Sequence, residues 1–273
     1  MTNLSLLQNC NQQDIKLDPF PHIIIENALP DKIAKSLTKT FPINIFNLES
    51  NNRRLNCSSF QVQQTKQINN LWKEFIRYHS SESFYAELIE LFKPAFLKDD
   101  YIRYKKKCVG IRGRDSKDEN KILLDAQISI NTPVNFSTAV RSAHTDNTNK
   151  LFSGLFYLRM PDDSSVGGNL RLLKWRDAYS HYDKLKLYKE GLEDKHFSVF
   201  KEVNYANNVA VIFLNSLDAI HLVTPRHKTN YPRCFVNLVG ELTHDVFQNQ
   251  TVNQKVMHKL QNIYFSTFKR KKG

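Results

Sequence analysis

The sequence predicts a mainly β protein with flanking helices, built on an antiparallel barrel or jelly roll. The first observation is a change of hydrophobic period, because apolar residues recur at helical spacing before residue 100 and at a spacing of two from about Ile122. The second is a series of short β-rich runs separated by turn residues, as such barrels require. The predicted strands are residues 123–131, 151–158, 169–173, 209–214 and 235–242.

The N-terminal part carries mixed signals. A β-rich run over 18–27 follows two prolines, and Asp31 begins an apolar helical pattern that continues through Phe41. Residues 44–68 are rich in Asn and Gln and predict a long exposed connection. Apolar residues at helical spacing over 70–97, interrupted at Ser81, predict two helices packed outside a sheet. The charged residues 98–120 indicate a solvated edge strand and loop.

A chain of 273 residues is long enough for one large domain with supporting elements. We expect helical and strand support over 1–120, the β core over 121–245, and a C-terminal helix with a basic tail over 246–273. A charged insertion at about 176–204 interrupts the core. Long insertions between barrel strands often form a lid or a substrate loop.

The composition favours a cytoplasmic protein. No apolar run reaches the length of a membrane span, and the N-terminus has neither a basic region nor the long apolar run of a secretory signal. The four cysteines are far apart and lack CxxC spacing, so we expect reduced thiols and not a zinc site or a disulfide framework. They are Cys10, Cys57, Cys108 and Cys234.

The formal net charge of +12 has two interpretations. It suits an anionic partner, or it follows from a composition rich in Lys, Asn and Ile. A nucleic acid is the less favoured partner, because the sequence shows no stacking platform with ordered basic residues. A small molecule or a peptide is favoured instead, and the oligomeric state is left open.

Two segments carry a candidate metal site. His144 and Asp146 form a His-x-Asp pair, and in an extended strand residues i and i+2 point the same way. His221 supplies a second imidazole from a distant segment. Two imidazoles and one carboxylate cover one face of an octahedral iron(II) and leave the other face open. The expected metal ligands are therefore His144, Asp146 and His221.

Over residues 141–240 the sequence resembles the iron(II)- and 2-oxoglutarate-dependent dioxygenases, most closely their prolyl-hydroxylase-like branch. The resemblance lies in the order and spacing of several short motifs. These are Ala143-His144-Thr145-Asp146-Asn147, Phe156-Tyr157-Leu158, Gly167-Gly168-Asn169-Leu170-Arg171, Phe213-Leu214-Asn215-Ser216, His221-Leu222-Val223-Thr224-Pro225 and Arg233. The opening Pro19-Phe20-Pro21-His22-Ile23 is also similar to the start of related proteins.

The resemblance implies a double-stranded β-helix that binds Fe(II), with 2-oxoglutarate and O2 as cosubstrates and ascorbate as a stimulant. It implies that Arg233 pairs with the distal carboxylate of 2-oxoglutarate, which suits the bidentate fork of a guanidinium. Arg226 is a rival for this role, although its place after Pro225 suggests a loop at the mouth. Tyr157 corresponds to a tyrosine that hydrogen-bonds the same carboxylate; the alternative is a core aromatic residue.

Five further residues have weaker signals. Arg141 and Arg171 either line the substrate mouth or are charges at strand edges, and His227 either touches substrate or is a solvated loop residue. Asn147 and Asn215 either orient the metal ligands or are turn residues.

The implied activity is hydroxylation of a C–H bond in an amino-acid-like small molecule or a peptidyl side chain. Two alternatives stay open. One is a barrel that binds a ligand or metal without turnover, which the complete ligand set disfavours. The other is desaturation or cyclisation on the same iron. Halogenation is disfavoured because Asp146 fills the position that a halide would need.

Overall fold

The computed structural model describes residues 4–139 and 141–247. Most of the predicted C-terminal helix and basic tail, from residue 248 onward, therefore lies outside the described residues. The strands are β1 (His22–Glu26), β2 (Arg54–Cys57), β3 (Cys108–Ile111), β4 (Lys121–Asn131), β5 (Lys150–Tyr157), β6 (Leu170–Trp175), β7 (Phe197–Val203), β8 (Val209–Leu214), β9 (His221–Val223) and β10 (Arg233–Glu241). The helices are α1 (Asp31–Lys39), α2 (Ser59–Gln64), α3 (Asn70–Tyr78), α4 (Glu82–Leu91), α5 (Lys98–Lys105) and α6 (His181–Glu190).

The strands form two sheets. The larger sheet has the order β1-β8-β5-β10-β4-β2, and β3 pairs in parallel with β4. The smaller sheet has the order β7-β6-β9, and both of its pairings are antiparallel. Three strands of the larger sheet come from the first 120 residues, so this part of the chain extends the core sheet as well as packing on it. The predicted fold class, mainly β with flanking helices, is confirmed.

The period of two places alternate residues of the larger sheet in different environments. In β10, Cys234, Val236 and Leu238 pack into the cluster that also contains Trp72 and Phe75 of α3. The intervening Phe235 packs with residues of the smaller sheet. One face of the larger sheet is therefore covered by helices, and the other faces the smaller sheet across a second apolar cluster. A jelly roll of this kind leaves room between its sheets for a ligand.

All five strands predicted within the core are present, each within two residues of its predicted ends. The predicted helix at Asp31 is α1, and the two predicted helices over 70–97 are α3 and α4. Ser81 caps α4, because its side chain accepts a hydrogen bond from the backbone N–H of Phe84. These predictions are confirmed, and each of the segments carries its own hydrophobic period.

Two predicted connections contain regular structure. Residues 44–68 are not an exposed connection, because they contain β2 and α2, and Val62 is fully buried. Residues 98–120 contain the edge strand β3, but α5 precedes it. The insertion at 176–204 contains α6 and β7. Polar residues concealed these elements, since a short strand or helix with a polar face gives little hydrophobic periodicity.

None of the helices within residues 4–139 and 141–247 has the length and apolar character needed to cross a bilayer.

Candidate metal centre

The structure brings the three predicted metal ligands together. One ligand atom from each of His144, Asp146 and His221 lies within 4.8 Å of the other two. The three side chains line a cavity of about 190 Å³ between the two sheets. Among the described residues this is the one group of three or more His, Cys, Asp or Glu side chains that could hold a metal ion.

Backbone hydrogen bonds set the positions of the two histidines. His144 N–H donates to the carbonyl of His221 at 3.0 Å, and His221 N–H donates to the carbonyl of His144 at 2.9 Å. On its other side His221 pairs with Leu172 of β6. The imidazole centroids are consequently only 4.3 Å apart. The two donors are thus held by main-chain pairing, which does not depend on a bound ion.

Each imidazole is also oriented through its Nδ1 atom. His144 Nδ1 lies 2.7 Å from the carbonyl oxygen of Ser142, and His221 Nδ1 lies 3.0 Å from that of Ala219. A carbonyl can only accept, so Nδ1 carries the proton in both rings. Each Nε2 then keeps its lone pair for a metal. This is the usual way in which a hydrogen bond selects the tautomer of a ligating histidine.

The carboxylate of Asp146 is held from two sides. Ser153 Oγ of β5 donates to Asp146 Oδ2 at 2.5 Å, and Lys150 Nζ lies 3.2 Å from Oδ1. The segment around Asp146 is not the extended strand that was expected. His144 makes a single antiparallel bridge, and residues 145–147 are irregular. Contacts with β5, and not strand alternation alone, therefore orient the carboxylate.

The environment favours neutral imidazoles beside an ionised carboxylate. Burial lowers the pKa of His144 to about 3, with His221 and Arg141 acting in the same direction. Burial also lowers the pKa of His221. Burial alone would raise the pKa of Asp146, but nearby positive charge and the Ser153 hydrogen bond hold it below its ordinary value. Since both imidazoles are neutral at pH 7, Lys150 is the main positive charge that lowers the pKa of Asp146 at that pH. This protonation state is the one that binds a divalent cation.

Arg233 lies in the same cavity, at the start of β10. It is 2% exposed, and its guanidinium carbon lies 4.8 Å from the ring centroid of Tyr157, 5.3 Å from that of Tyr205 and 5.0 Å from that of Phe235. Among the residues that the structure describes, its side chain makes one hydrogen bond, to Asn131 Oδ1 at 3.3 Å. Arg233 forms no ion pair with any acidic residue in the described part of the chain. A buried guanidinium without a counter-ion is costly, so this position suits an anionic ligand.

Unpaired polar atoms support that interpretation. Nε and one terminal nitrogen of Arg233 are buried without a hydrogen-bond partner among the described residues, and so is the hydroxyl of Tyr157. Burial raises the pKa of Tyr157, so its hydroxyl stays protonated and can donate. A carboxylate placed here would accept hydrogen bonds from both side chains. The residues present therefore fit a 2-oxo diacid that reaches from the three metal ligands to Arg233.

Arg226, the rival for this role, is turned away from the cavity. It is 1% exposed and therefore not in a loop at the mouth, as its position after Pro225 had suggested. Its guanidinium donates to the carbonyls of Thr132 at 2.9 Å and Tyr231 at 2.6 Å. Backbone carbonyls thus accept hydrogen bonds from both terminal nitrogens of this side chain, which joins the segments around residues 132 and 231.

The glycine pair beside Arg226 is required by close packing. Gly167 has φ +86°, and a Cβ atom there would lie 1.9 Å from the carbonyl oxygen of Pro225. Gly168 has φ +78°, and its Cβ would press on the side chains of Arg226 and Arg233 at 3.1 and 3.2 Å. The backbone approaches both arginines closely only because side chains are absent here.

The weaker candidates separate into two groups. Arg141 lines the cavity. Asn215 does not line it, but its side chain donates to the carbonyls of Asn147 and Lys150 at 2.9 and 3.2 Å and so supports the loop after Asp146. The other candidates lie outside the cavity lining. Arg171 pairs with Glu202, and both His227 and Asn147 are exposed.

Sequence reasoning missed several cavity residues. Ser153 lay inside a predicted strand, Lys150 came immediately before that strand, and Asn131 stood at the end of another. Arg54 lay in the segment predicted to be an exposed connection. The only available signal was the alternation of polar and apolar residues in Arg54-Leu55-Asn56-Cys57, which is too short to be decisive.

No protein-family model and no curated protein matches the sequence. Solved structures do match. A prolyl 4-hydroxylase from Phytophthora capsici aligns with a TM-score of 0.51 and 10% identity, covering 90% of this chain and 68% of that one. This chain has a prolyl-hydroxylase-like fold. The Pseudomonas putida prolyl-4-hydroxylase aligns with a TM-score of 0.43 and 11% identity over 82% of this chain and 93% of that one. The viral collagen prolyl hydroxylase of Paramecium Bursaria Chlorella virus-1 aligns with a TM-score of 0.38 and 11% identity over 82% and 96%.

The predicted resemblance to the prolyl-hydroxylase-like branch is therefore confirmed as a similarity of fold. The prolyl-hydroxylase-like fold accounts for the sheet arrangement around the cavity. The three candidate metal ligands and the buried Arg233 are features of this chain's own cavity.

Proposed function

We propose that this protein is an iron(II)- and 2-oxoglutarate-dependent oxygenase that hydroxylates a C–H bond. The observation that carries the proposal is that one cavity contains both the His144, Asp146 and His221 cluster and the buried guanidinium of Arg233. Neither feature alone is specific for this chemistry. Together they match the two ends of a 2-oxo diacid, one that chelates a metal and one that needs a cation.

His144, Asp146 and His221 would hold the iron through two neutral nitrogens and one anionic oxygen. Iron bound there would supply the activation of O2, with 2-oxoglutarate as the electron donor that becomes succinate and carbon dioxide. The chain's own contribution is different. The histidine pairing fixes the donor positions, Ser153 and Lys150 fix the carboxylate, and Arg233 sets the direction of the cosubstrate.

Part of the cavity lining is apolar. Leu155, Phe213 and Phe235 line it from the larger sheet, and Leu170 and Val223 line it from the smaller sheet. This apolar lining suits a small amino-acid-like molecule or a single peptidyl side chain as the substrate. An apolar surrounding also strengthens the electrostatic contacts made inside it.

The proposal can be tested without knowing the substrate. Purified protein is incubated anaerobically with Fe(II), ascorbate and 2-oxoglutarate, and succinate is measured after oxygen is added. We expect slow succinate formation that requires both iron and 2-oxoglutarate. His144→Ala should abolish it, and Arg233→Gln should reduce it by raising the 2-oxoglutarate concentration needed.

Binding gives an independent readout. We expect Mn(II) to bind the wild type in a ratio near one to one, and 2-oxoglutarate to bind the Mn(II)-loaded protein. A protein that binds neither the metal nor 2-oxoglutarate would disprove the proposal. Binding of both without succinate formation, with or without a substrate panel, would indicate a ligand-binding barrel that does not turn over.

A further inference from the structure

The cavity has more positive charge than the metal site and the cosubstrate require. Four cationic side chains line it, and they are Arg54, Arg141, Lys150 and Arg233. The single acidic residue of the lining is Asp146. Lys150 is paired with Asp146, and Arg233 lies where the proposed function places a carboxylate of 2-oxoglutarate. Arg54 and Arg141 therefore have no anion of their own, since Asp146 is already paired with Lys150.

Arg54 and Arg233 belong to one row of residues across the larger sheet. Asn131 of β4 pairs with Arg54 of β2 on one side and with Arg233 of β10 on the other. Two strand spacings separate the arginine backbones, which is roughly 10 Å. The ring of Phe235 lies between the two side chains, with the Arg54 guanidinium carbon 5.3 Å and the Arg233 guanidinium carbon 5.0 Å from its centroid. Arg54 therefore points into the same cavity as Arg233 but at a separate position.

Arg54 has little local compensation. Its Nε donates to Asn56 Oδ1 at 3.1 Å, and it forms no ion pair with an acidic residue within residues 4–139 and 141–247. Its surroundings lower its pKa to about 10, through burial first and then through the charges of Arg233 and Arg141, while Asp146 acts in the opposite direction. The guanidinium of Arg54 thus lies near more positive than negative charge, even though it is in contact with solvent.

Arg141 approaches the cavity from the loop that leads to His144. Its guanidinium lies 3.8 Å from Asp146 Oδ1, at the limit of an ion pair, and its side chain is 52% exposed. Asp146 already accepts a hydrogen bond from Ser153 and forms an ion pair with Lys150. Arg141 is therefore a minor partner of that carboxylate. An exposed pair of this length contributes little energy, which leaves Arg141 able to bind another anion.

We infer that Arg54 and Arg141 form a second anion site at the mouth of the cavity, which binds a carboxylate of the substrate. The inference rests on the proposed function, because the metal and 2-oxoglutarate must occupy the other half of the cavity. A divalent cation and the 2-oxoglutarate dianion cancel in net charge, so together they do not offset the positive charge of the two arginines. Guanidinium forks match the planar geometry of a carboxylate.

Such a carboxylate could come from a free amino acid or from an acidic side chain of a peptide. Both sources present the same planar anion, and the small cavity limits what else accompanies it. The proposal therefore gives the substrate class as a carboxylate-bearing molecule whose oxidised C–H lies between its own anion and the metal. It predicts that the amide of a substrate binds much more weakly than the acid.

The test uses protein loaded with Mn(II) and saturated with 2-oxoglutarate. The probes are a panel of free L-amino acids with their primary amides, together with N-acetyl aspartate and glutamate N-methylamides and their Asn and Gln counterparts. Paramagnetic broadening of probe proton signals in NMR spectra reports binding close to the metal. We expect at least one acid to be broadened strongly and its amide about tenfold less. Free amino acids and blocked acidic residues distinguish the two sources.

Variants identify the residues responsible. Arg54→Gln and Arg141→Gln should each weaken binding of the broadened acid by about tenfold. Arg53→Gln is the matched control, because Arg53 is the exposed neighbour of Arg54 and does not line the cavity. Mn(II) and 2-oxoglutarate affinities should be retained in Arg54→Gln and Arg53→Gln.

The outcomes separate the two proposals. A wild type that fails to bind Mn(II) or 2-oxoglutarate disproves the proposed function itself. Normal binding of both, with acids and amides broadened equally or not at all, disproves the carboxylate site alone. The same conclusion follows if Arg54→Gln and Arg141→Gln bind the acid as the wild type does.

Discussion

His144 and His221 are joined by two reciprocal backbone hydrogen bonds, of 3.0 and 2.9 Å, although 76 positions separate them in the chain. Each residue thus brings both an imidazole and a strand-like backbone edge to the site. Main-chain pairing holds the two donors in register, and Nδ1 hydrogen bonds to carbonyls fix the direction of each ring. The site is pre-organised, so losing one ligand should cost affinity without disturbing the surrounding fold.

Replacing a ligating histidine should remove metal binding. We expect His144→Ala and His221→Ala to weaken Mn(II) binding by more than about 100-fold, because a ligand contributes more than the outer contacts that orient it. Electron paramagnetic resonance of free Mn(II) measures the affinity. His227→Ala is the control, since His227 is exposed and lies close to His221 in sequence. Stoichiometric Mn(II) retained by His144→Ala would exclude this residue from the ligand set.

Ser153 should act on the metal through Asp146. Its hydroxyl donates to Asp146 Oδ2 at 2.5 Å, so Ser153→Ala frees one carboxylate oxygen and allows the side chain to rotate. We expect a loss of about 10-fold to 100-fold in Mn(II) affinity with an unchanged circular dichroism spectrum. Ser198→Ala is a suitable control because Ser198 is exposed on β7. Equal affinities for the two variants would show that Lys150 alone is sufficient to position Asp146.

The strands, and the clustering of the three candidate ligands, could be predicted because each carries a local signal. The strands over 123–131 and 209–214 are apolar enough to be recognised on their own, and the ordered motifs around His144 and His221 pointed to the side chains that meet in the cavity. The exact backbone at Asp146 could not be predicted. Its carboxylate is oriented by Ser153 and Lys150, and nothing in the His-x-Asp spacing specifies those contacts.

Arg54 and Arg226 show the limits of sequence reasoning in opposite ways. Arg54 looked like part of an exposed connection, because a strand of only four residues gives almost no periodic signal. Arg226 looked like a loop residue at the mouth, yet it is buried. Its partners are the carbonyls of Thr132 and Tyr231. Hydrogen bonds to backbone carbonyls cannot be recognised from the sequence, because every residue has a carbonyl.

The two buried arginines should therefore differ in what they contribute. Arg233→Gln should weaken 2-oxoglutarate binding to the Mn(II)-loaded protein by about 100-fold, because charge-assisted hydrogen bonds to a carboxylate are lost. Arg226→Gln should leave that affinity nearly unchanged but lower the free energy of unfolding by about 3 kcal/mol, because buried carbonyls lose their donors. Isothermal titration calorimetry and urea unfolding measure the two effects. The reverse pattern would transfer the cosubstrate role to Arg226.

Gly167 should tolerate no side chain. Its φ of +86° is unfavourable for other residues, and a Cβ atom would lie 1.9 Å from the carbonyl oxygen of Pro225. We expect Gly167→Ala to lower the free energy of unfolding by about 2 kcal/mol or more. Gly191→Ala is the matched control: φ is also positive, at +115°, but no atom lies within 4 Å of its Cβ position. Similar losses in both variants would mean that backbone conformation, and not the contact with Pro225, sets the cost.

His79 should make the fold sensitive to acid independently of the metal centre. It is 2% exposed beneath α4, its Nδ1 lies 2.8 Å from the carbonyl of Phe75, and burial lowers its pKa from 6.5 to about 4. Between these pKa values the unfolded chain binds a proton that the folded protein does not. Stability should therefore fall as the pH decreases from 7 towards 4, by up to about 3 kcal/mol from this residue.

Urea unfolding of the metal-free protein between pH 4.5 and 7.5 measures this dependence. His79→Gln cannot titrate in this range, so its stability should fall less steeply with decreasing pH than that of the wild type. His144 and His221 also have lowered pKa values, but they are present in both proteins and cancel in the comparison. Parallel stability curves for the wild type and His79→Gln would contradict the assignment, because the difference between the curves isolates the buried imidazole.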